Sequence, residues 1–513
     1  MLATFAFAAL AAGAATFWAP ADPPRGKYEI DAQIDPEQRL IRGSETIRFV
    51  NNGPRPLRRL AMNWRWTDAS PIEISLDGTR VALPESAKDT TPLVFDLPRP
   101  LLPGKTMTLA VTFRRGWAFQ SYQGYQVVTN WHPRLVWASR QTDDFAVRIR
   151  PPDGYKLLTS GALDKAGTWR GATLRNFSLI LTKDLLVTSR EAAGVLITAL
   201  HTAKGAECAK LVVDTAADII PFYKTRFGFY PHGSLNILPG MDRPSGGYPV
   251  TTATVVIHGQ ERLQDAPPEH WKWITAHEIG HQYWIEHVLS AGEQGLEWLM
   301  IGLGIYVDRE YARARGLEAR HAQFLRTYMD GVREGRDTTL ELTPEHFNAI
   351  QWDAGNIVEH GKGFAVISAL DMVLGAEMFG RVHRRALRDF AGRRLSWRAF
   401  QNLAEDESGE DLEWFFEQWV RSNKWLSYEV TGQQTERSGE QYITKVQVKR
   451  RGTLAMPMPV EAELEDGTRI VQWSDRLLAE QTLEFRTGSA VKQVRLDPGG
   501  TLPNLLPPPA RGG

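Results

Sequence analysis

From residue 27 onward apolar and polar positions alternate. Tyr28, Ile30, Ala32 and Ile34 are separated by Glu29, Asp31 and Gln33, and Phe145, Val147 and Ile149 repeat the pattern later. A period of two marks strands with one buried face. Pro103-Gly104 and Asn52-Gly53 punctuate the short runs as turns do, so residues 21–190 are expected to form a large antiparallel β domain. Over about 268–423 the texture becomes helical, in segments at 271–287, 296–315, 361–375 and 412–422, which predicts a mainly α block within a domain spanning 191–425. Alternation returns over 426–500, where Val446 and Val448 lie between Lys445, Gln447 and Lys449 and Asp466-Gly467 signals a hairpin; a small β-sandwich is expected there. The tail at 501–513 has too little apolar surface to bury. The expected class is α+β and multidomain.

The first residues differ from all of this. Residues 2–18 are uncharged, rich in Ala and Phe, and contain the small-x-small pattern Ala12-Gly13-Ala14; the run stops at Pro20, Pro23 and Pro24. Residues 1–20 are read as a secretory signal peptide, which places the mature chain outside the cytoplasm, secreted or in the cell envelope. A basic n-region is missing, so an uncleaved segment tethering the chain to a membrane stays open. Lys and Arg total 60 against 60 for Asp and Glu, and this balance disfavours a nucleic-acid partner. The single cysteine, Cys208, excludes an internal disulfide, a thiolate zinc finger and an iron–sulfur cluster, so any metal site must draw on His and carboxylates.

Residues 277–281 read His-Glu-Ile-Gly-His inside one of the helical segments. Side chains four apart share a helix face, so His277 and His281 can meet one Zn²⁺ per chain while Glu278, on the adjoining flank, reaches a zinc-bound water and takes its proton. That is the chemistry of peptide-bond hydrolysis. Five residues also recur by chance on a solvated helix, and the context has to decide.

The context resembles the aminopeptidase N-like (membrane alanyl aminopeptidase) family of gluzincin zinc metallopeptidases. The points of contact are Tyr28-Glu29-Ile30-Asp31-Ala32-Gln33-Ile34, Phe222 through Pro231 (FYKTRFGFYP), His277 through Trp284 (HEIGHQYW), Gly361-Lys362-Gly363 and Phe415 through Val420 (FFEQWV). The resemblance implies an N-terminal saddle-like β domain, a thermolysin-like catalytic domain and a small β-sandwich, with a peptide or protein as substrate.

Three positions depart from what the resemblance implies. Where the family places its third zinc ligand, a Glu on the next helix, position 300 is Met, and aligning Trp298-Leu299 and Gly302 with one residue inserted puts Ile301 there. Neither side chain binds zinc. Glu297 lies one helical turn from Ile301 and is the candidate replacement, set against a plain acidic residue at a helix start. Where the family grips a substrate amine with Gly-x-Met-Glu-Asn, this chain has Gly246-Gly247-Tyr248-Pro249-Val250; its glycines suit close approach of a substrate strand but it offers no carboxylate, and a simple turn beside Pro244 explains them equally. Where the family has an oxyanion-stabilising Tyr, His360 stands and can take that role by donating N–H, with metal ligation or an ordinary polar position as alternatives. Trp271, Trp273, Trp284 and Trp298 gather around the motif, mostly as expected core, with one or two available to a substrate pocket.

Two functions follow. In one, the chain is a zinc metallopeptidase with Glu278 as general base, Glu297 completing the ligands and His360 at the oxyanion. In the other, it is a pseudo-peptidase that keeps the motif as a remnant and acts as a binding or scaffold protein. A non-peptidase hydrolase on the same scaffold is a third reading. The intact Glu278 favours the enzyme, since a structural zinc site has no use for a base.

Overall fold

A computed structural model describes residues 23–116, 121–122, 124–137, 141–240, 243–244, 246–291, 297–317 and 319–506. The signal peptide expected over 1–20 and most of the tail lie outside them. The chain is a mixed α/β protein of two compact units, one made of the described residues of Met1–Leu289 with Phe390–Arg394, the other of Ser290–Asp389 with Leu395–Gly513.

The alternating segments are strands. β1 (Lys27–Asp35) turns Tyr28, Ile30, Ala32 and Ile34 inward, and β2 (Leu40–Val50), β3 (Ile72–Leu76), β4 (Thr106–Gly116), β5 (Asp143–Arg150) and β6 (Trp169–Leu174) join it. They form an eight-stranded sheet ordered from Ala162–Leu163 through β6, β5, β1, β2, β4 and β3 to Thr79–Arg80. The sheet is not antiparallel throughout: β1 pairs antiparallel with β2 but parallel with β5, Tyr28 opposite Phe145. Alternation reports which face is buried and carries no information on strand direction, and the long stretch between β1 and β5 lets the chain return either way. One apolar cluster fills the inner face, with Ile41, Ile47, Leu109 and Val147 fully buried.

The same unit holds a second sheet of five strands: β7 (Leu186–Ala192), β8 (Val195–His201), β9 (Ser234–Gly240), β10 (Gly247–Thr251) and β11 (Thr254–His258), in the order β7-β8-β9-β11-β10. β8, β9 and β11 run parallel, and β10 returns antiparallel as the outer strand. Helix α1 (Ala206–Phe227) crosses over between β8 and β9 and ends on Gly228, whose φ of +94° is the left-handed cap that stops a helix. Cys208 is buried on α1, and burial pushes its thiol up to about 12. α2 (Pro268–Gly280) follows β11, opening on a proline suited to a first helical turn.

In the second unit α3 (Trp298–Arg315) lies against a continuous helical run, a π-helix over Gly355–Lys362 that passes into α4 (Gly363–Leu374). The two cross at glycines: a Cβ on Gly302 would stand 2.6 Å from the Gly363 carbonyl oxygen, and one on Gly363 would stand 2.8 Å from that of Trp298. No methyl fits between backbones this close, so Gly302→Ala is expected to cost about 1–3 kcal/mol, read as a drop in thermal midpoint with the helix content kept. Lys362, with no exposed surface, donates from Nζ to Asp337 at 3.2 Å, to the Thr338 carbonyl at 2.6 Å and to the Ser422 carbonyl at 3.0 Å. Toward the C-terminus two three-stranded sheets follow, and the Asp466-Gly467 hairpin, with Gly467 at φ +85°, joins Pro459–Leu464 to Arg469–Trp473.

Three helical segments differ in extent from the sequence reading. The one expected over 271–287 ends at Gly280, the one over 361–375 begins as α4 at Gly363 with the π-helix before it, and the one over 412–422 is Glu413–Trp419. Among the described residues no helix is long and apolar enough to cross a membrane.

Candidate functional site

The motif occupies the last turn of α2. His277 and Glu278 are helical, and His281 is the capping residue, still in the right-handed helical region with its N–H to the His277 carbonyl at 3.4 Å. The spacing of four is therefore preserved across the helix end. The two imidazole rings lie with centroids 4.8 Å apart at 80°, on one face and buried. Trp273, one turn earlier, stacks on His277 with centroids 5.5 Å apart at 22°. It is half-buried, whereas Trp271, Trp284 and Trp298 are core residues. Trp273 is thus the one tryptophan of the four that touches the motif with surface to spare.

Beyond His281 the chain does not continue as helix, because tertiary contacts capture it. The Gln282 side-chain oxygen accepts the Ala253 N–H at 2.8 Å. Glu286, fully buried, accepts from the Thr252 hydroxyl at 2.7 Å and pairs with Arg175 at 2.8 Å. Between them Ile285 stands at φ +100°, a rare backbone for a β-branched residue, with its N–H held by the Val288 carbonyl at 2.9 Å. The Tyr223 hydroxyl donates to the Ala276 carbonyl at 3.2 Å from α1. These bonds fix the end of α2 and so the aim of both imidazoles.

The other flank of the motif faces β10. A Cβ built on Gly247 would stand 2.6 Å from Glu278 Cγ and 2.8 Å from Glu278 Oε1. The backbone of the outer strand thus runs directly past the carboxylate, an approach only glycine allows. Gly246, at φ +107°, makes the bend that brings it there, and Tyr248 leans on His258 with ring centroids 5.5 Å apart. His277, Glu278, His281 and the Gly246-Gly247-Tyr248 segment are therefore one constellation.

Glu297 and His360 belong to the second unit. Glu297 caps α3, and its backbone N–H donates to Glu359 Oε1 at 2.8 Å. Burial and the neighbouring Glu297 carboxylate raise the Glu359 carboxyl to about 7, against the lowering effect of that N–H. Glu359 was not singled out in the sequence; the pairing joins residues 62 apart and leaves no local pattern. Its place in the π-helix, a form frequent at functional sites, is the structural signal. His360 accepts Phe324 against its ring, and Nδ1 sits 2.8 Å from the Gly355 carbonyl. Only a protonated Nδ1 can make that bond, so a neutral His360 carries its lone pair on Nε2, and it donates there only as imidazolium. Met300 and Ile301 are buried, as apolar residues on that turn would be.

Two imidazoles on one face beside a carboxylate are a donor set that fits zinc. Among the described residues no group of three or more His, Cys, Asp or Glu side chains is drawn together tightly enough to hold a metal ion by itself. No family model matches the chain, and no curated protein does.

Proposed function

We propose that the chain is a zinc-dependent metallopeptidase of the aminopeptidase N-like kind, with a saddle-like β domain, a thermolysin-like catalytic domain and a C-terminal β-sandwich, acting outside the cytoplasm on peptides or proteins. The observation that carries this reading is Glu278: a buried carboxylate on the turn that presents both imidazoles, facing a strand stripped of its side chain at Gly247. A carboxylate so placed has the reach of a general base to a group lying between the histidines and the strand.

His277 and His281 would hold the ion, with Glu297 the candidate third ligand by its place in the sequence. Zinc, when bound, supplies Lewis acidity that polarises a carbonyl and acidifies a water. Glu278 takes the proton and returns it to the leaving amine. Gln282 and Glu286 keep the helix end in place while this happens, and His360 as imidazolium donates to negative charge developing on the carbonyl oxygen.

A pseudo-peptidase is the second reading. The buried Met300 and Ile301, where the resemblance calls for a carboxylate, favour it. Zinc content after dialysis against a mild chelator separates the two. One zinc retained per chain, lost in Glu297→Ala, supports the enzyme with Glu297 as ligand; retention by both proteins moves the third ligand elsewhere. Loss from the wild type supports the pseudo-peptidase.

A further inference from the structure

The three parallel strands of the five-stranded sheet bring their carboxyl ends to one cavity. Thr202 follows the last residue of β8, Gly240 is the last residue of β9, and Gly259 follows the last residue of β11; all three line a space of about 90 Å³. Gly205, the cap of α1, lines it too. The carboxyl ends of parallel strands leave crevices of this kind beside the start of the next helix, and ligands use them. The volume is that of about three waters, room for two small polar groups joined through one carbon and for little more.

The walls carry opposite charges that are not paired with each other. Arg243, exposed, has no hydrogen-bond or ion-pair partner among the described residues. Glu261 accepts from the Thr202 hydroxyl and meets no cation among them. Arg262, the other guanidinium of the cavity, is already held by Asp265 at 2.6 Å. Helix α1 begins without a side-chain cap, so the N–H groups of its first turn, at Ala206, Glu207 and Cys208, have no acceptor within the helix and add partial positive charge on the Gly205 side. The deciding group is Gln260, which lines the cavity and is 2% exposed. Its Nε2 donates to the Leu238 carbonyl at 3.4 Å, which leaves Oε1 a buried acceptor with no donor. Such an atom is costly, and beside a cavity it calls for a donor on whatever fills the space.

We infer that this cavity binds one small free α-amino acid, glycine in the simplest case, as its zwitterion. The carboxylate takes the side of Arg243 and the first turn of α1. The ammonium takes the side of Glu261 and gives Gln260 Oε1 the donor it lacks. An inorganic oxyanion answers only the first set of groups and sets negative charge against Glu261. A simple amine answers only the second. A peptide holds its two end charges too far apart for so small a space, which restricts the ligand to a single residue. None of His277, Glu278 and His281 lines the cavity, so the site stands apart from the motif.

Isothermal titration calorimetry on the whole chain tests this, with glycine, acetate, methylammonium and inorganic phosphate titrated in turn. Glycine is expected to bind at least about tenfold more tightly than acetate or methylammonium, because each analogue forfeits one set of charge-assisted bonds. Arg243→Ala and Glu261→Gln alter exposed side chains, are expected to keep the thermal midpoint, and are each expected to weaken glycine binding at least about tenfold. Glu261→Gln is expected to leave the weak binding of acetate as it was. Acetate or phosphate binding as tightly as glycine overturns the zwitterion and leaves a plain anion site; methylammonium doing so overturns it in favour of a cation site. Glycine binding undiminished in both variants puts the amino acid elsewhere, the motif included, and overturns the assignment, as does absence of glycine binding. No outcome depends on whether the chain cleaves peptides.

Discussion

Glu278→Gln is expected to leave the protein folded, with its zinc content unchanged, and to lower peptide hydrolysis by about 10²- to 10⁴-fold, the range that a positioned general base contributes. Glutamine has nearly the shape of glutamate and keeps the contact with Gly247, so packing at the end of α2 is preserved. What it lacks is a basic oxygen to accept the proton. The histidines that would hold the ion are separate side chains on the same turn, and their aim is set by Gln282 and Glu286, which the substitution does not touch. Zinc by elemental analysis and turnover on a peptide panel are the two readouts. Equal turnover in both proteins would remove Glu278 from the chemistry and with it the proposed mechanism.

The second large effect is on stability. Asp337→Ala is expected to destabilise the second unit by about 3–5 kcal/mol, because it strips the counter-charge from the fully buried Lys362. Two carbonyls remain to the ammonium, from Thr338 and Ser422, but neither cancels its charge. Burial already pulls the Lys362 amine below its ordinary range, with the Asp337 carboxylate pulling the other way. Asp337→Ala with Lys362→Met removes both charges and is expected to recover most of the loss, since the desolvation cost disappears with them. Denaturant unfolding followed by tryptophan fluorescence measures both. A single variant as stable as wild type would mean that Lys362 finds water or another acceptor once Asp337 is gone.

Much of the fold was legible in the sequence wherever one face of a local element decides it. Tyr28, Ile30, Ala32 and Ile34 announce β1 because each second residue meets the same core, and Asp466-Gly467 announces its hairpin because the turn needs a positive φ. The candidate site was half legible. His277, Glu278 and His281 lie in one turn, where spacing alone sets their relation. The close approach of Gly247 to Glu278 depends on how a strand packs against a helix end, which spacing does not report. The helix expected through residue 287 stops at Gly280 because Ala253, Thr252 and Arg175, all far away in the chain, take the hydrogen bonds and charge of the next residues. Glu359 escaped for a related reason. A π-helix adds a residue to each turn, so the period of 3.6 used to recognise helices slips through Gly355–Lys362 and places no face for it.

Pro249, on the outer strand of the five-stranded sheet, has a consequence for the behaviour of the protein in a crowded solution. A bare outer strand is a template on which a second copy can zip, and soluble proteins blunt such edges with proline, charge or irregular pairing. The outer strand here carries a proline at an outward position and a register shift just after it. A single added backbone gains too few bonds from it to offer the next copy a continuous rail. An edge interrupted in this way is a poor template for a growing fibre.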